Sequence, residues 1–420
     1  MIEYPPKGSR LGAWAWVFGW SAFIFAIIPF ARAIQRISNQ WLGEGSLRWI
    51  SLAVLTVSTA VALYRGVRIF RGRAWLRATA IAGAGAVFWG MAFVGLDSPA
   101  EATHFVLYSV LGVLCFRAFA IDGRDGLVYL HAFLAGLLVS VVDESLQWFS
   151  PGRYWDLRDV AHNAAAVACV LTALALGFRP PYLRGPIQPK SIRRAAALAA
   201  SATVLLALCF SNTPQMARRL TSRIPALEPL FDNTHPMTEY GFCYREADGG
   251  RFYSRFDPES LRLADTLRGP DVGLLLAEAA QSGFPTNRRM VLAAARDAFL
   301  FEALQRLERR NHYWGVLPKY RSDPDNYSFH ATIAWRENQF LERYLPRTLE
   351  AAGQRWTDET KESLATHIRA DPYTSPVGRH LVCAVTLTDV WLIAAGALAL
   401  CAGFWRMSDR LATGRSHRAG

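Results

Sequence analysis

Thr103-His104-Phe105-Val106-Leu107-Tyr108-Ser109-Val110-Leu111-Gly112-Val113-Leu114-Cys115-Phe116 is apolar along nearly its whole length. Continued to residue 121, it is too long for a strand and long enough to cross a bilayer, which takes roughly 17–25 apolar residues as a helix. Reading outward for runs of that kind gives candidate spans near 13–30, 47–64, 76–96, 103–121, 127–148, 159–178, 192–211 and 385–405. The expected fold is an all-α polytopic membrane protein of about eight transmembrane helices.

Composition agrees. The chain is 52% hydrophobic and only 19% charged, too apolar for an ordinary soluble protein of 420 residues. A net charge of +12 raises the question of nucleic acid. That partner is set aside, because the arginines flank apolar spans and form no stripe on a soluble domain. The six cysteines show no metal-ligand spacing. Cys115, Cys169, Cys209 and Cys401 fall in apolar runs and read as packing residues. Lys7 and Arg10 precede the first run, but no small-residue cleavage site follows it, so a retained span is expected there.

Arginine distribution sets the expected orientation. Arg65, Arg68, Arg71, Arg73 and Arg77 crowd the second connection, and Arg117 and Arg124 mark the fourth. Arg179, Arg184, Lys190, Arg193 and Arg194 mark the sixth; Arg406, Arg410, Arg415 and Arg418 follow the last span. These alternate correctly, so both termini are expected in the cytoplasm and residues 212–384 outside. The first outer loop, with Arg32, Arg36 and Arg48 against Glu44, fits this rule less well. Trp14, Trp16, Trp20, Trp49, Trp75, Trp148, Trp155, Trp391 and Trp405 lie near span ends, as interfacial belts require. Ala82, Ala86 and Gly90 in the third span, and Ala161, Ala164, Ala165 and Ala168 in the sixth, form small-residue faces suited to close helix approach.

Residues 212–384 are polar enough to fold in water and long enough for a small core. Tyr240–Arg245 and Arg251–Phe256 read as strands joined through Asp248-Gly249-Gly250, a hairpin signal. Asp257-Pro258-Glu259 opens a helix, Met290–Leu307 carries helical spacing, and Thr357 is an N-cap for Asp358–Ile368. A mainly helical extracytoplasmic domain containing a β-hairpin is expected. Cys243 and Cys383 are its two cysteines outside the apolar runs, a candidate disulfide if that side is oxidising.

Ionisable groups at membrane depth cost roughly 2.5–3.5 kcal/mol each on insertion scales and persist mainly where they pair or work. Here they gather at one end of three spans. Glu101, His104 and Tyr108 share a helix face by their spacing of three and four. Asp143, Glu144 and Gln147 close the fifth span. Pro151-Gly152 forces a turn, Arg153 follows, and Asp156, Asp159 and Asn163 open the sixth, with Asp156 placed to cap it. His104 with Glu144 has the makings of an acid/base pair. Arg153 suits a phosphate or carboxylate through its planar fork. It should contact at least one of Asp143, Glu144, Asp156 and Asp159, as the cation of the motif. The plain structural alternative makes these residues caps and interhelical bonds. Asp143, Glu144, Asp156 and Asp159 offer the oxygen donors of a divalent-cation site, but no metal and no cofactor is expected. His131, deeper in the fifth span, reads as a satisfied core histidine.

Glu101-Ala102-Thr103-His104-Phe105-Val106-Leu107-Tyr108, followed by Asp143-Glu144-x-x-Gln147 and Pro151-Gly152-Arg153-x-x-Asp156-x-x-Asp159-x-x-x-Asn163, resembles the VanZ-like membrane protein family. The likeness covers roughly residues 75–178. The family often has Lys where Glu101 stands, and Gly where this chain has Ala166. The resemblance implies a four-helix membrane module in a bacterial envelope, and the family's founding member is linked to low-level teicoplanin resistance. No family is recognised for 212–384.

The expected organisation is then 1–74, an N-terminal pair of spans; 75–178, the VanZ-like core; 179–211, a cytoplasmic loop and seventh span; 212–384, the extracytoplasmic domain; and 385–420, the last span with a basic tail. The expected function is binding of a cell-envelope constituent (a lipid-linked phosphate, a cell-wall precursor or a glycopeptide) in an outward-facing pocket of the bacterial cytoplasmic membrane. Glycopeptide tolerance would be the linked trait. The expected partners are a membrane lipid or lipid-linked cell-wall precursor and, through 212–384, an envelope protein. The alternatives are an enzyme acting on a lipid-linked group, and a non-catalytic scaffold.

Overall fold

The computed structural model describes residues 8–69, 74–93, 101–149, 155–224, 226, 237–246, 250–281 and 297–416. It divides into two compact units: Met1–Met237 with Thr388–Gly420, and Thr238–Leu387.

In the first unit the helices are α1 (Arg10–Ile27), α2 (Ala31–Leu42), α3 (Ser46–Ile69), α4 (Ala74–Phe93), α5 (Ala102–Asp122), α6 (Leu127–Trp148), α7 (Leu157–Thr172), α8 (Pro189–Ser211) and α9 (Pro214–Arg223). The second unit holds β1 (Phe242–Arg245), β2 (Arg251–Ser254), α10 (Pro258–Gln281), α11 (Ala298–Gly315), α12 (Pro324–Tyr344), α13 (Pro346–Ala351) and α14 (Asp358–Ala365); α15 (Leu387–Ser416) closes the chain. Among the described residues eight helices are long and apolar enough to cross a membrane: α1 with its extension to Phe30, α3, α4, α5, α6, α7 with its π-helical extension to Phe178, α8 and α15. This is a multi-pass helical membrane protein.

Helices α5 and α6 are the best-buried spans, and α7 packs against both. A Cβ on Gly112 of α5 would come within 2.8 Å of Val170, and one on Gly136 of α6 within 2.9 Å of Val167. Glycine is therefore what lets α5 and α6 close onto α7. Ala166 is fully buried beside them and permits the same approach. Helix α1 is pinned to α5 by Trp20 Nε1, which donates to the Leu107 carbonyl (2.9 Å). At the other end of α6, His131 Nε2 donates to the Ser191 carbonyl (2.8 Å), and Asp125 accepts from Ser191 Oγ (2.8 Å) and Gln188 N (3.2 Å). These bonds tie α6 to α8 and make His131 a core histidine.

Two expectations about the spans are corrected. Ala82, Ala86 and Gly90 lie on an exposed face of α4. The helix contact to α3 is made by Gly85, where a Cβ would meet Thr59 at 2.9 Å. Trp148 and Trp155 are buried with Val141, Val160 and Cys209, so they pack inside the bundle and not toward lipid.

In the second unit β1 and β2 pair antiparallel from Phe242↔Ser254 to Arg245↔Arg251. The turn residues 247–249 lie outside the described residues. Helix α10 starts where Asp257 accepts from the amides of Glu259 and Ser260 (both 3.0 Å), and α14 where Thr357 caps Thr360 N (3.2 Å). Helix α11 differs from expectation. Met290–Arg296 lie outside the described residues; the helix opens at Asp297, whose carboxylate accepts from Phe299 N and Leu300 N (3.1 and 3.2 Å), and it runs on to Gly315. Helix α12, absent from the sequence reading, is polar for most of its length, and its buried face is completed by α11 and α13.

Candidate functional site

Three helix ends converge. Tyr108 on α5 is fully buried and donates through its hydroxyl to Asp143 Oδ2 on α6 (3.0 Å). Gln147, one turn on, donates its side-chain amide to Asp143 Oδ2 (3.3 Å) and to Glu144 Oε1 (2.6 Å). Asp156, the N-cap of α7, donates its backbone amide to Glu144 Oε2 (3.4 Å), while its own carboxylate accepts from Arg158 N (2.7 Å). The amide at the start of α7 thereby reaches the carboxylate at the end of α6, as helix N-termini favour. Asp143, Glu144 and Gln147 are at most 2% exposed. Buried polar groups of this kind are stable only when bonded, and here each has a donor or acceptor from a neighbouring turn or helix.

A second strand of the network leads from His104. Its Nδ1 donates to Asn163 Oδ1 (3.2 Å), and Asn163 Nδ2 donates to Ser140 Oγ (3.0 Å). With the Asn163 carbonyl as acceptor, the proton of a neutral His104 ring sits on Nδ1. The His104 and Tyr108 rings stack, with centroids 6.3 Å apart and planes 9° off parallel, which joins the two strands. His104 and Glu144 thus belong to one network, linked through Tyr108, Asp143 and Gln147.

Above this floor lies a half-buried rim. Arg158 reaches Glu101 Oε2 (3.5 Å), Asp156 Oδ2 (3.7 Å) and Asp159 Oδ1 (3.9 Å). Glu101, Asp159 and His162 also bring one donor atom each to within 4.8 Å of one another. Such a mixed carboxylate–imidazole set has the composition of a divalent-cation site, though Arg158 already lies against both carboxylates.

All the sequence-selected residues that are described (Glu101, His104, Tyr108, Asp143, Glu144, Gln147, Asp156, Asp159 and Asn163) therefore meet at one end of α5, α6 and α7. Arg153 lies outside the described residues. The idea that it is the cation of the motif needs correction, because Arg158 is a second one and pairs with three carboxylates. Arg158, His162 and Ser140 were missed. Arg158 and His162 stand inside the quoted motif, four residues apart, with His162 one turn after Asp159, and could have been found there. Ser140, one hydroxyl in an apolar run, gives no such signal. Cys243 and Cys383 are not bonded to each other in the structure. Cys243 is exposed; Cys383 Sγ donates to the Leu381 carbonyl (3.6 Å). Burial, reinforced by the neighbouring Cys243, pushes the Cys383 thiol up to about 11.

Fold and site together define a multi-pass helical membrane protein with a buried polar network at one end of a three-helix core. Residues 15–177 are similar to the VanZ/LLP1 family, whose model matches that stretch, and the rest of the chain is unmatched. The match begins inside α1, so it takes in the N-terminal spans that the motif reading had set apart and covers six spans, not four. No curated protein and no solved structure matches the chain.

Proposed function

We propose that the α5–α6–α7 site binds a phosphate- or carboxylate-bearing envelope constituent, such as a lipid-linked phosphate, a cell-wall precursor or a glycopeptide, and that glycopeptide tolerance is the linked trait. The observation that carries this reading is the layered polarity: a fully buried floor of Tyr108, Asp143, Glu144 and Gln147 beneath a half-buried rim holding Arg158. The VanZ/LLP1 match supports it. Arg153, five residues before Arg158 in sequence, is the second guanidinium that this reading calls on. The setting proposed is the bacterial cytoplasmic membrane, with both termini inside and residues 212–384 outside, where that domain would meet an envelope protein. The alternating arginine clusters support this orientation.

One observation favours a second reading. Asp143, Glu144, Gln147 and Asn163 bond mainly to protein groups across three helices, which a scaffold also needs. A third reading makes His104 and Glu144 an acid/base pair of an enzyme. Purified full-length protein, titrated with a polyprenyl phosphate and with teicoplanin, separates the three. Binding predicts that Arg153→Ala weakens affinity about tenfold or more, the scale of a lost charge-assisted bond, with Arg153→Lys in between. Glu144→Gln should bind with partial loss. Normal binding but no turnover in Glu144→Gln would favour the enzyme, and a fall in protein level in every variant would favour the scaffold. Reporter fusions at Gly250 and Gly420 should report opposite compartments, and a cytoplasmic signal at Gly250 would overturn the orientation.

A further inference from the structure

The arginines of the first connection, which fit the charge rule poorly, lie on or beside α2. This helix is 12 residues long, about 18 Å, too short to cross a bilayer, and it is joined at both ends to helices that can. Its faces are segregated. Ile34, Ile37 and Trp41 recur at helical spacing and are 44, 56 and 82% exposed. Arg36, Asn39 and Gln40 occupy the opposite side. Such an exposed apolar stripe is costly in water and matches the boundary between headgroups and acyl chains.

Helix α9 repeats the pattern. It follows α8 after Thr213, whose hydroxyl caps its first turn. Met216 and Leu220, one turn apart, with Ile224 just beyond, are exposed along one side, and Arg219 and Arg223 border that side. Six potential crossings separate α2 from α9, and two separate α2 from the start of α5. Both numbers are even, so α2, α9 and the polar network share one membrane face, whichever way the protein is oriented.

We propose that α2 and α9 lie in the headgroup layer of that face and that Arg36, Arg219 and Arg223 bind anionic phospholipid there. Guanidinium groups beside a shallow apolar stripe can reach phosphate while their stems remain over hydrocarbon. This explains why arginines accumulate in the first connection against the prevailing charge pattern: lipid phosphates hold them, independently of compartment. The occupant is the lipid surface, distinct from any ligand of the α5–α6–α7 site.

The test uses full-length protein in vesicles of phosphatidylcholine and phosphatidylglycerol, with bromine on the acyl chains of one lipid at a time. Subtracting the fluorescence of Trp41→Phe isolates Trp41. Bromines near the carbonyls should quench it more than bromines near the chain ends. At equal mole fraction, brominated phosphatidylglycerol should quench it more than brominated phosphatidylcholine, and Arg36→Gln should reduce that preference by about fivefold or less. A nitroxide at Leu220→Cys should report the same shallow depth for α9, read against native cysteines labelled in the unsubstituted protein. Quenching of Trp41 by aqueous iodide but not by lipid bromine overturns the placement. Equal quenching by the two lipids overturns the anionic selectivity.

Discussion

The membrane unit and the Thr238–Leu387 unit both bury carboxylates, and they supply them with different donors. In the membrane unit the described donors to Asp143 and Glu144 are neutral: the Tyr108 hydroxyl, the Gln147 amide and the Asp156 backbone. In the second unit they are guanidinium groups. Arg306, fully buried, donates to Glu302 (2.9 Å) and Glu337 (3.5 Å), and Arg309 reaches Glu337 at 3.4 Å. The Tyr373 and Ser375 hydroxyls donate to Glu337 (2.6 and 2.5 Å) and Ser254 to Glu302 (2.7 Å), and Arg306 stacks 3.7 Å from the Phe340 ring centroid. The second network neutralises itself inside the core of its own unit and reads as structural. The first keeps its described cation, Arg158, at a half-buried rim, where a ligand could compete for it. The contrast teaches that burial of charge alone does not mark a site; the position of the countercharge relative to the surface does.

The largest expected effect tests the structural half of this comparison. Arg306→Ala leaves Glu302 and Glu337 buried without that guanidinium and should destabilise the second unit by about 3–5 kcal/mol. Hydrogen exchange of peptides from 238–387 in the full-length protein would read it, and unchanged protection would break the contrast. Tyr108→Phe removes one neutral donor from Asp143 and should cost about 1–3 kcal/mol, measured as the thermal midpoint in detergent. A loss as large as that of Arg306→Ala would mean that the membrane network is equally structural.

A smaller effect concerns acid. Burial pushes the Glu239 carboxyl up, but His380, bonded at 2.9 Å, and Arg255 outweigh it and hold the group below its ordinary 4.5. A depressed carboxyl adds stability above its ordinary value and loses it as pH falls through the lower folded value. The stability gap between the unsubstituted protein and Glu239→Gln should therefore narrow as pH drops below 4.5. A gap that widens on acidification would contradict the pairing. The smallest effect is chemical. Gly241 N donates to the Val382 carbonyl (3.1 Å), so the segments carrying Cys243 and Cys383 run side by side. In an oxidising compartment the pair should resist thiol labelling until reduced; labelling of both without reductant would rule out the disulfide proposed from sequence.

How much was legible divides along the same line. The spans were readable because a bilayer demands long apolar runs, and each run from Arg10–Phe30 to Leu387–Ala412 satisfies that demand locally. Asp156, Asp257 and Thr357 were readable as caps, because a short polar side chain before a helix meets unpaired amides a few residues on. That His104, Tyr108, Asp143, Glu144, Gln147 and Asn163 belong together could be expected, since each is costly alone in a membrane. Which donor meets which acceptor was decided only in three dimensions. Gln147 bridging both carboxylates, Arg158 reaching across to Glu101, and Ser140 receiving Asn163 depend on how α5, α6 and α7 rotate against one another, and Gly112, Gly136 and Ala166 set that closeness. Arg306 and Glu337 show the same limit from the other side. In sequence they look like the solvated face of a helix, and only packing against Phe340 and β2 turns them inward, because pairing across distant segments makes burial of their charge tolerable.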